Sequence, residues 1–318
     1  MSCKPKIKHR YCAQTEAAFY AKTHAALLLS VSLSVLGMEA TDNRPGTAAA
    51  GHQPTTGVYV FTEWAGQPLR VFYARPAAVN PETPVVIVMH GASRTAEAYR
   101  DAWRDIAHEQ QVLVVVPEFS RADYPGRSYI LGQPPAGSTG KALAPSFSAI
   151  EPLFDAVVRQ EALNAISYSL FGHSGGAQFA HRFLYLHPEN RAQRVVLANA
   201  GWYTLPDFDR AYPYGLGATT VTPLQLAQLL QKRVIVLLGD QDTDMQHTSL
   251  NRSAAAMQQG RHRLARGHTF YLAAAQAAKT MDTGFNWSMS LAPGVAHENE
   301  KMAQYAFPLL LHGPLSVQ

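Results

Sequence analysis

The pentapeptide Gly172-His173-Ser174-Gly175-Gly176 has the pattern G-x-S-x-G, with the apolar segment SYSLF before it and a run of helical character after it. A serine held on a sharp turn between a strand and a helix exposes its hydroxyl for attack on an electrophilic carbon. The pattern alone recurs by chance, and Ser174 could be only a small residue where a strand meets a helix. The flanking strand and helix signals favour the nucleophile.

A serine hydroxyl becomes reactive when a neighbouring base removes its proton, and histidine often has that role. His297 follows the last predicted strand and comes after Ser174 in the chain, so it is the predicted base. The alternative is an ordinary surface-loop histidine, since the chain has 13. His173 is expected to pack beside the turn without a role in proton transfer. Four other histidines fit the position of a base less well and are predicted to be solvated or incidental: His247, His262, His268 and His312.

The segment LLGDQDTD places three carboxylates just beyond a predicted strand. A carboxylate bonded to the imidazole fixes its tautomer and stabilises its positive charge. Asp240 is expected to serve the turn and Asp244 to cap the following segment. Asp242 has the better reach back toward His297 and is the predicted acid.

Attack on a carbonyl group needs two backbone N–H donors for the oxygen that gains negative charge. One predicted donor is Gly175, directly after the serine. The other is Ala92 in the segment MHGAS, where Gly91 allows a close approach. His90 is expected to brace this loop rather than to contact substrate.

Aromatic residues are frequent in two Pro/Gly-rich segments, 120–146 and 201–231. Four of them are predicted to line the substrate cleft: Tyr124, Tyr129, Trp202 and Tyr203. The alternative is that these rings only pin long loops to the core, and the sequence does not separate the two.

Strand and helix signals alternate along the chain. The strands and helices that they predict must position the candidate catalytic residues. Apolar runs typical of strands buried on both faces occur at 84–90 and 112–119, and further strands are predicted at 167–172, 194–200, 233–239 and 286–292. Helical patterns occur at 95–111, 148–160, 175–187, near 251–279 and near 298–311. Ser148 and Glu151 have the spacing of a capping box. The segment 58–76 alternates and turns at Ala65-Gly66, which predicts a hairpin.

This alternation predicts an α/β fold with a mostly parallel twisted sheet, an antiparallel N-terminal hairpin and helices on both faces. Catalytic groups in such sheets gather at the carboxyl ends of the strands. Ser174, Asp242 and His297 all stand just beyond the end of a predicted strand.

The N-terminus has the features of a targeting segment. Basic residues precede the apolar segment AALLLSVSLSVLG, which is too short for a comfortable membrane span. We predict a leader at 1–40, a linker at 41–55 and one catalytic domain at 56–318, with a secreted or periplasmic location and no membrane span in the mature protein. The alternatives for the leader are a disordered or amphipathic tail and a retained anchor. Cys3 and Cys12 both lie in the leader, so the mature domain would have no disulfide.

The charge balance of the chain and the motifs that it lacks bear on whether it binds nucleic acid, a metal ion or a cofactor. The formal net charge is +4, but residues 1–40 hold five basic and two acidic residues. The remaining 22 basic and 21 acidic residues nearly balance, so composition does not predict a nucleic-acid partner. The sequence contains no H-E-x-x-H zinc motif, no Walker loop and no G-x-G-x-x-G after a predicted strand. We therefore predict neither a metal nor a cofactor.

These residues resemble the α/β-hydrolase superfamily, in particular its single-domain poly(3-hydroxybutyrate) depolymerase and feruloyl-esterase-like members. The resemblance covers about residues 56–315 and is carried by the order Ser174…Asp242…His297 and the His-Gly pair before the first helix. The segments VVVPEFSRADYPGRSYILG and ANAGWYTLPDFDRAYPYG are also similar to bacterial members. The resemblance implies a serine esterase that cleaves carboxylic esters through an acyl-enzyme. No Thr-rich linker or second module is found, which favours small or oligomeric esters over crystalline polyester.

Two other functions remain open at this point. An acyltransferase or a peptidase would use the same acyl-enzyme chemistry with a different acceptor or leaving group. A non-catalytic binding protein could keep the fold without turnover, although the intact set of Ser174, Asp242 and His297 argues against it.

Overall fold

The computed structural model of the protein describes residues 55–132 and 144–311. The predicted leader and all but the last residue of the predicted linker lie outside these ranges and stay predictions. Among the residues that are described, no helix combines the length and the apolar character needed to cross a bilayer.

Eight strands form one sheet in the order β1-β2-β4-β3-β5-β6-β7-β8. The strands are β1 (Thr56–Phe61), β2 (Leu69–Ala74), β3 (Val85–Met89), β4 (Leu113–Pro117), β5 (Tyr168–His173), β6 (Ala192–Ala198), β7 (Arg233–Gly239) and β8 (Ser288–Ala292). The pairs β1/β2 and β2/β4 are antiparallel, and the other pairs are parallel. The predicted sheet, with its antiparallel N-terminal hairpin, is confirmed.

Eight α-helices accompany the sheet within the described ranges. They are α1 (Ala96–Glu109), α2 (Ser128–Leu131), α3 (Ile150–Gln160), α4 (Gly175–Leu186), α5 (Pro223–Leu230), α6 (Ala254–Met257), α7 (Arg263–Thr280) and α8 (Asn299–Leu311). Because side chains alternate across a strand, Ile87 of β3 packs in one core and Val88 in the other. Helices α1 and α8 cover the second core, and α3, α4, α5 and α7 cover the first, so helices lie on both faces.

The predicted capping box at Ser148 and Glu151 is wrong. A 3₁₀ turn over Ser146–Ala149 leads directly into α3, and the Ser148 hydroxyl donates to the carbonyl oxygen of Pro145. The Glu151 carboxylate instead accepts hydrogen bonds from Tyr168 and Arg191. A bond to a guanidinium is stronger than a bond to a backbone N–H at a helix end, so the carboxylate turns toward the cation.

The predicted helix near 251–279 is interrupted. Gly260 has a φ of 146°, a conformation that residues with a side chain rarely adopt, and it separates α6 from α7. The side chain of His262 then caps α7 by accepting from the N–H of Ala265. The interruption places Arg263 at the first position of α7.

Helix α5 was not predicted, although its start signal stands in the sequence. Thr222 and Gln225 form a reciprocal capping box, and Pro223 occupies the first helical position. The surrounding Pro/Gly-rich segment concealed this short helix.

Candidate active site

Ser174 occupies the turn between β5 and α4, with φ 57° and ψ −115°. Positive φ is uncommon for a residue with a side chain and is maintained here by the packing around it. A Cβ atom on Gly172 would overlap the carbonyl oxygen of Gly176, and one on Gly176 would overlap that of Met89. The two glycines of the pattern therefore allow strand and helix to approach closely, and the turn leaves Ser174 partly exposed.

The structure brings Ser174, His297 and Asp242 into one hydrogen-bonded chain. Nε2 of His297 lies 2.9 Å from Oγ of Ser174, and Nδ1 of His297 lies 2.7 Å from Oδ2 of Asp242. Asp242 is buried, whereas the side chain of His297 is 14% exposed. Asp242 is the carboxylate that reaches the histidine, since Asp240 accepts from the N–H of Gly294 and Asp244 from that of Gln246.

Asn199 ties together the loops that carry the histidine and the acid. It follows β6 with a φ of 47°, and its amide donates to the carbonyl oxygen of Ala296 at 3.0 Å. Its Oδ1 accepts the N–H of Gly239 at 2.8 Å. One side chain thus fixes both the residue before His297 and the end of β7.

The two predicted oxyanion donors lie side by side. A Cβ atom on Gly175 would stand 2.7 Å from the backbone nitrogen of Ala92. Within the described part of the chain, neither N–H donates a hydrogen bond. The guanidinium of Arg121 holds the carbonyl oxygen of Ala92 at 2.9 Å and steadies the loop from the solvent side.

His90, Arg94 and Tyr129 brace this loop from below. Nε2 of His90 accepts the N–H of Phe119, and the hydroxyl of Tyr129 donates to the carbonyl oxygen of His90 at 2.8 Å. Arg94, at φ 66°, donates to the carbonyl oxygens of Phe119 and Tyr124. The structure thus places His90 in the bracing position expected from the sequence.

The four aromatic residues predicted to line the substrate cleft do not line it. Tyr124, Tyr129, Trp202 and Tyr203 are all buried, and none of them borders the pocket at Ser174. Arg182 lies over the ring of Trp202 at 4.1 Å, and Tyr203 stacks on Phe270 at 4.3 Å between centroids. These rings fill the space under long loops, because burying a large apolar ring stabilises the fold more than exposing it.

A pocket of about 550 Å³ lies over Ser174 instead. Its polar walls include Ser93, Thr95, His247, Ser249, Asn299 and Lys301. Apart from Gly91, the apolar residues among its described lining are Ala92, Ala98 and Tyr99. The pocket therefore combines hydrogen-bonding groups with apolar surface from small side chains, a tyrosine ring and the carbon atoms of polar residues.

Sequence reasoning missed a buried cation beside the acid. Arg263 is 1% exposed, and its Nη1 lies 3.3 Å from Oδ1 of Asp242. Its Nη2 donates to Oγ of Ser249 at 2.8 Å and lies 3.2 Å from Nδ1 of His247. The spacing between Asp242 and Arg263 follows no motif, so only the turn at Gly260 brings the guanidinium under the site.

The structure also corrects the prediction for His247. Its ring borders the pocket and lies 5.6 Å from the ring of His297. His173 lies on another side of His297, with ring centroids 4.7 Å apart, and Nδ1 of His173 is 2.9 Å from the hydroxyl of Tyr99. Burial and the nearby His297 hold the pKa of His173 well below its ordinary value, so it stays neutral beside the base.

Three buried histidines predict a loss of stability in mild acid. Burial lowers the pKa of His90 to about 3 and holds the pKa values of His173 and His181 well below the ordinary value. The Nε2 atoms of His90 and His181 each accept a hydrogen bond from a backbone N–H. Protonating either Nε2 would break that hydrogen bond and place two hydrogens against each other. The unfolded state therefore binds protons that the native state does not, and this stabilisation is present above about pH 6.5 and lost as pH falls toward the native pKa values.

We expect the free energy of unfolding to fall by about 4 kcal/mol between pH 7.5 and pH 5.5, measured by urea titration. Most carboxylates stay ionised across this window, so the histidines dominate the change. The variant His181→Gln removes one of the three histidines. Its free energy of unfolding should therefore fall by about one third less than that of the wild type between pH 7.5 and pH 5.5. Equal stability of the wild type at both pH values would contradict the prediction.

Comparisons with known proteins identify relatives among solved structures. Poly(aspartic acid) hydrolase-1 from Sphingomonas sp. KT-1 is 43% identical, with a TM-score of 0.78 over 81% of this chain and 99% of that chain. LpqC, a poly(3-hydroxybutyrate) depolymerase from Bordetella parapertussis, is 32% identical, with a TM-score of 0.75 over 82% of this chain and 91% of that chain. An S-formylglutathione hydrolase from Agrobacterium tumefaciens, 16% identical with a TM-score of 0.52 over 80% of this chain and 95% of that chain, shares the fold.

No protein-family model and no curated protein matches the chain. The poly(aspartic acid) hydrolase and the poly(3-hydroxybutyrate) depolymerase, both above 30% identity, nevertheless span most of this sequence and nearly all of their own. Together with the strand order and the turn at Ser174, they confirm the family resemblance: the chain belongs to the α/β-hydrolase superfamily and is an esterase-like hydrolase.

Proposed function

We propose that this protein is a serine esterase that cleaves carboxylic esters through Ser174, His297 and Asp242. The observation that carries the proposal is the continuous chain from Oγ of Ser174 through the imidazole to the buried carboxylate, with separations of 2.9 and 2.7 Å. Both distances are hydrogen-bond lengths, as expected for a nucleophile, its base and the group that orients the base.

In the first half of the reaction, Oγ of Ser174 attacks the ester carbonyl carbon while Nε2 of His297 takes the hydroxyl proton. The carbonyl oxygen becomes an oxyanion, and the N–H groups of Ala92 and Gly175 stabilise its charge. The bond to the leaving alcohol then breaks, and the imidazolium gives its proton to the alcohol oxygen. Asp242 stabilises the imidazolium and holds its orientation throughout.

In the second half, water replaces the alcohol. His297 takes a proton from the water as its oxygen attacks the acyl carbon, and the same two N–H groups stabilise the new oxyanion. When that intermediate collapses, the bond to Oγ of Ser174 breaks and His297 returns the proton to the serine. The acid product leaves, and the enzyme is restored.

We propose small or oligomeric esters with polar units as the substrates. No aliphatic side chain larger than alanine is found among the described residues that line the pocket, which favours short or polar acyl groups over a long aliphatic chain. The relative named as a poly(3-hydroxybutyrate) depolymerase supports an oligomeric ester.

A second candidate is cleavage of amide bonds. The relative that is 43% identical is named as a poly(aspartic acid) hydrolase, and the units of that polymer are joined by amides. The same acyl-enzyme would form, with an amine as the leaving group. Rates on an ester and an amide of the same acyl group, measured side by side, would assign the bond that is cleaved.

A fluorophosphonate probe tests the proposal directly. An activated Oγ displaces fluoride from phosphorus, and we expect one adduct per chain, located by peptide mass spectrometry on Ser174. The variant Ser174→Ala should not react, and His297→Ala should react far more slowly. A wild-type protein that fails to react would favour the non-catalytic alternative, and ester products formed with an added alcohol would indicate an acyltransferase.

A further inference from the structure

His247 lies in the loop after β7 and forms part of the pocket wall beside His297. The two ring centroids are 5.6 Å apart, with the planes at 68°. The mechanism above assigns no role to His247. Its hydrogen bonds, however, determine what it presents to a substrate.

The contacts of the neutral His247 ring favour a proton on Nε2. Nδ1 is 3.2 Å from the backbone nitrogen of Ser249 and 3.2 Å from Nη2 of Arg263, and both of these groups can only donate. Nδ1 also lies 3.0 Å from Oγ of Ser249, a hydroxyl that accepts from Arg263 and keeps its own hydrogen to donate to Nδ1. A proton on Nδ1 would point at two donors. Nδ1 therefore carries a lone pair, and Nε2 carries the hydrogen.

Arg263 keeps this arrangement in place. Its guanidinium is buried and also bonded to Asp242 and Ser249, so it cannot swing away from His247 without breaking those bonds. Burial and the adjacent positive charge of Arg263 lower the pKa of His247 and favour the neutral ring. Nε2 makes no hydrogen bond within the described residues, and the ring borders the pocket, so its N–H is available to a bound molecule.

We propose that His247 is a substrate-binding residue whose Nε2–H donates a hydrogen bond to an oxygen on the alcohol that leaves. The inference rests on the proposed function, because the leaving oxygen must lie against Nε2 of His297 to receive its proton. The acyl oxygen points away, toward Ala92 and Gly175. His247 flanks His297 and therefore meets the leaving group.

This donor selects leaving alcohols that carry an acceptor, such as the ester carbonyl of the next unit in an oligomer. An alkyl alcohol of the same length leaves the donor unpaired once water is displaced, which is unfavourable for a polar group. The site thus has a built-in preference for esters of hydroxy acids over esters of plain alcohols.

Two acetate esters test the preference. Methyl 3-acetoxybutyrate and 2-hexyl acetate have alcohols of equal length, and only the first has a carbonyl beyond the scissile bond. Both form the same acetyl-enzyme, so any difference arises before deacylation. We expect the wild type to favour the first in kcat/KM, and His247→Phe to lower that ratio about tenfold.

Matched variants separate binding from structure. His247→Gln keeps an N–H donor in the side chain and should retain most of the ratio, whereas His268→Phe, a histidine of α7 outside the pocket, should leave it unchanged. An equal loss on both esters in His247→Phe, or a wild type without preference, would overturn the proposal. A wild-type protein whose Ser174 does not react with fluorophosphonate would refute the proposed esterase function. A protein that does react but shows no preference between the two esters would refute only the role of His247.

The tautomer can be read without any substrate. Long-range ¹H–¹⁵N spectra of the ring, compared with those of His247→Gln for assignment, should show Nε2 protonated and Nδ1 bare near neutral pH. A proton on Nδ1 would overturn the proposal even if the His247→Phe variant does not fold.

Discussion

Replacing Ser174 by alanine is expected to lower kcat/KM for ester hydrolysis by about 10⁵-fold or more. The variant lacks the oxygen that forms the acyl-enzyme, so the histidine and the carboxylate have no nucleophile to activate. The N–H groups of Ala92 and Gly175 would still polarise a bound carbonyl, which leaves a small residual rate. The measurement is steady-state hydrolysis of p-nitrophenyl acetate by purified protein.

Two controls make this result specific. The thermal midpoint of Ser174→Ala should stay within a few degrees of the wild type, because only one hydroxyl at a partly exposed turn is removed. Ser93→Ala removes another hydroxyl from the same pocket and should keep wild-type turnover within a few fold, because among the described residues that hydroxyl hydrogen-bonds only to Thr95. Normal turnover by Ser174→Ala would refute the proposed mechanism.

The second large effect is expected at Asp242. Asp242→Asn should lower kcat/KM by about 10⁴-fold, because an amide neither stabilises the imidazolium nor holds the required tautomer. Asp240→Asn should cost less than about tenfold, because its remaining oxygen can still accept the N–H of Gly294. The reverse order of the two variants would move the acid to Asp240.

Arg263 complicates the interpretation of Asp242→Asn, and a double variant resolves it. Without the carboxylate, the buried guanidinium loses its ion-pair partner, and the free energy of unfolding should fall by about 3–5 kcal/mol. Asp242→Asn/Arg263→Gln removes both charges and should recover much of that stability in urea titration. Its activity should stay low, and recovery of activity with stability would mean that Asp242 acts only through the fold.

Local patterns in the chain were sufficient to predict the sheet and the nucleophile turn. Strands β3 and β4 are continuous apolar runs because both of their faces are buried. Gly172 and Gly176 mark the turn at Ser174 because any side chain there would meet backbone atoms of neighbouring elements. The capping box at Ser148 failed because the partners of Glu151 stand at 168 and 191, well beyond the range of a local pattern.

The aromatic residues predicted to line the cleft show a second limit of prediction from the sequence. Tyr129 stands in the four-residue helix α2 and Trp202 in a loop, and neither segment contains a period from which burial can be deduced. The hydroxyl of Tyr129 reaches the carbonyl oxygen of His90, 39 positions away, and the ring thereby becomes part of the core. Whether a ring lines a pocket or fills a core depends on where the rest of the chain passes.

The sequence by itself determined the fold class, the turn at Ser174 and the order of serine, aspartate and histidine, because these depend on local sterics and on the periods of strands and helices. Only the tertiary structure decided which groups meet. It placed Asp242 rather than Asp240 against His297, brought Arg263 beneath the acid, and turned His247 toward the pocket. These contacts join residues 16 to 55 positions apart, and their geometry follows from how loops pack rather than from any motif.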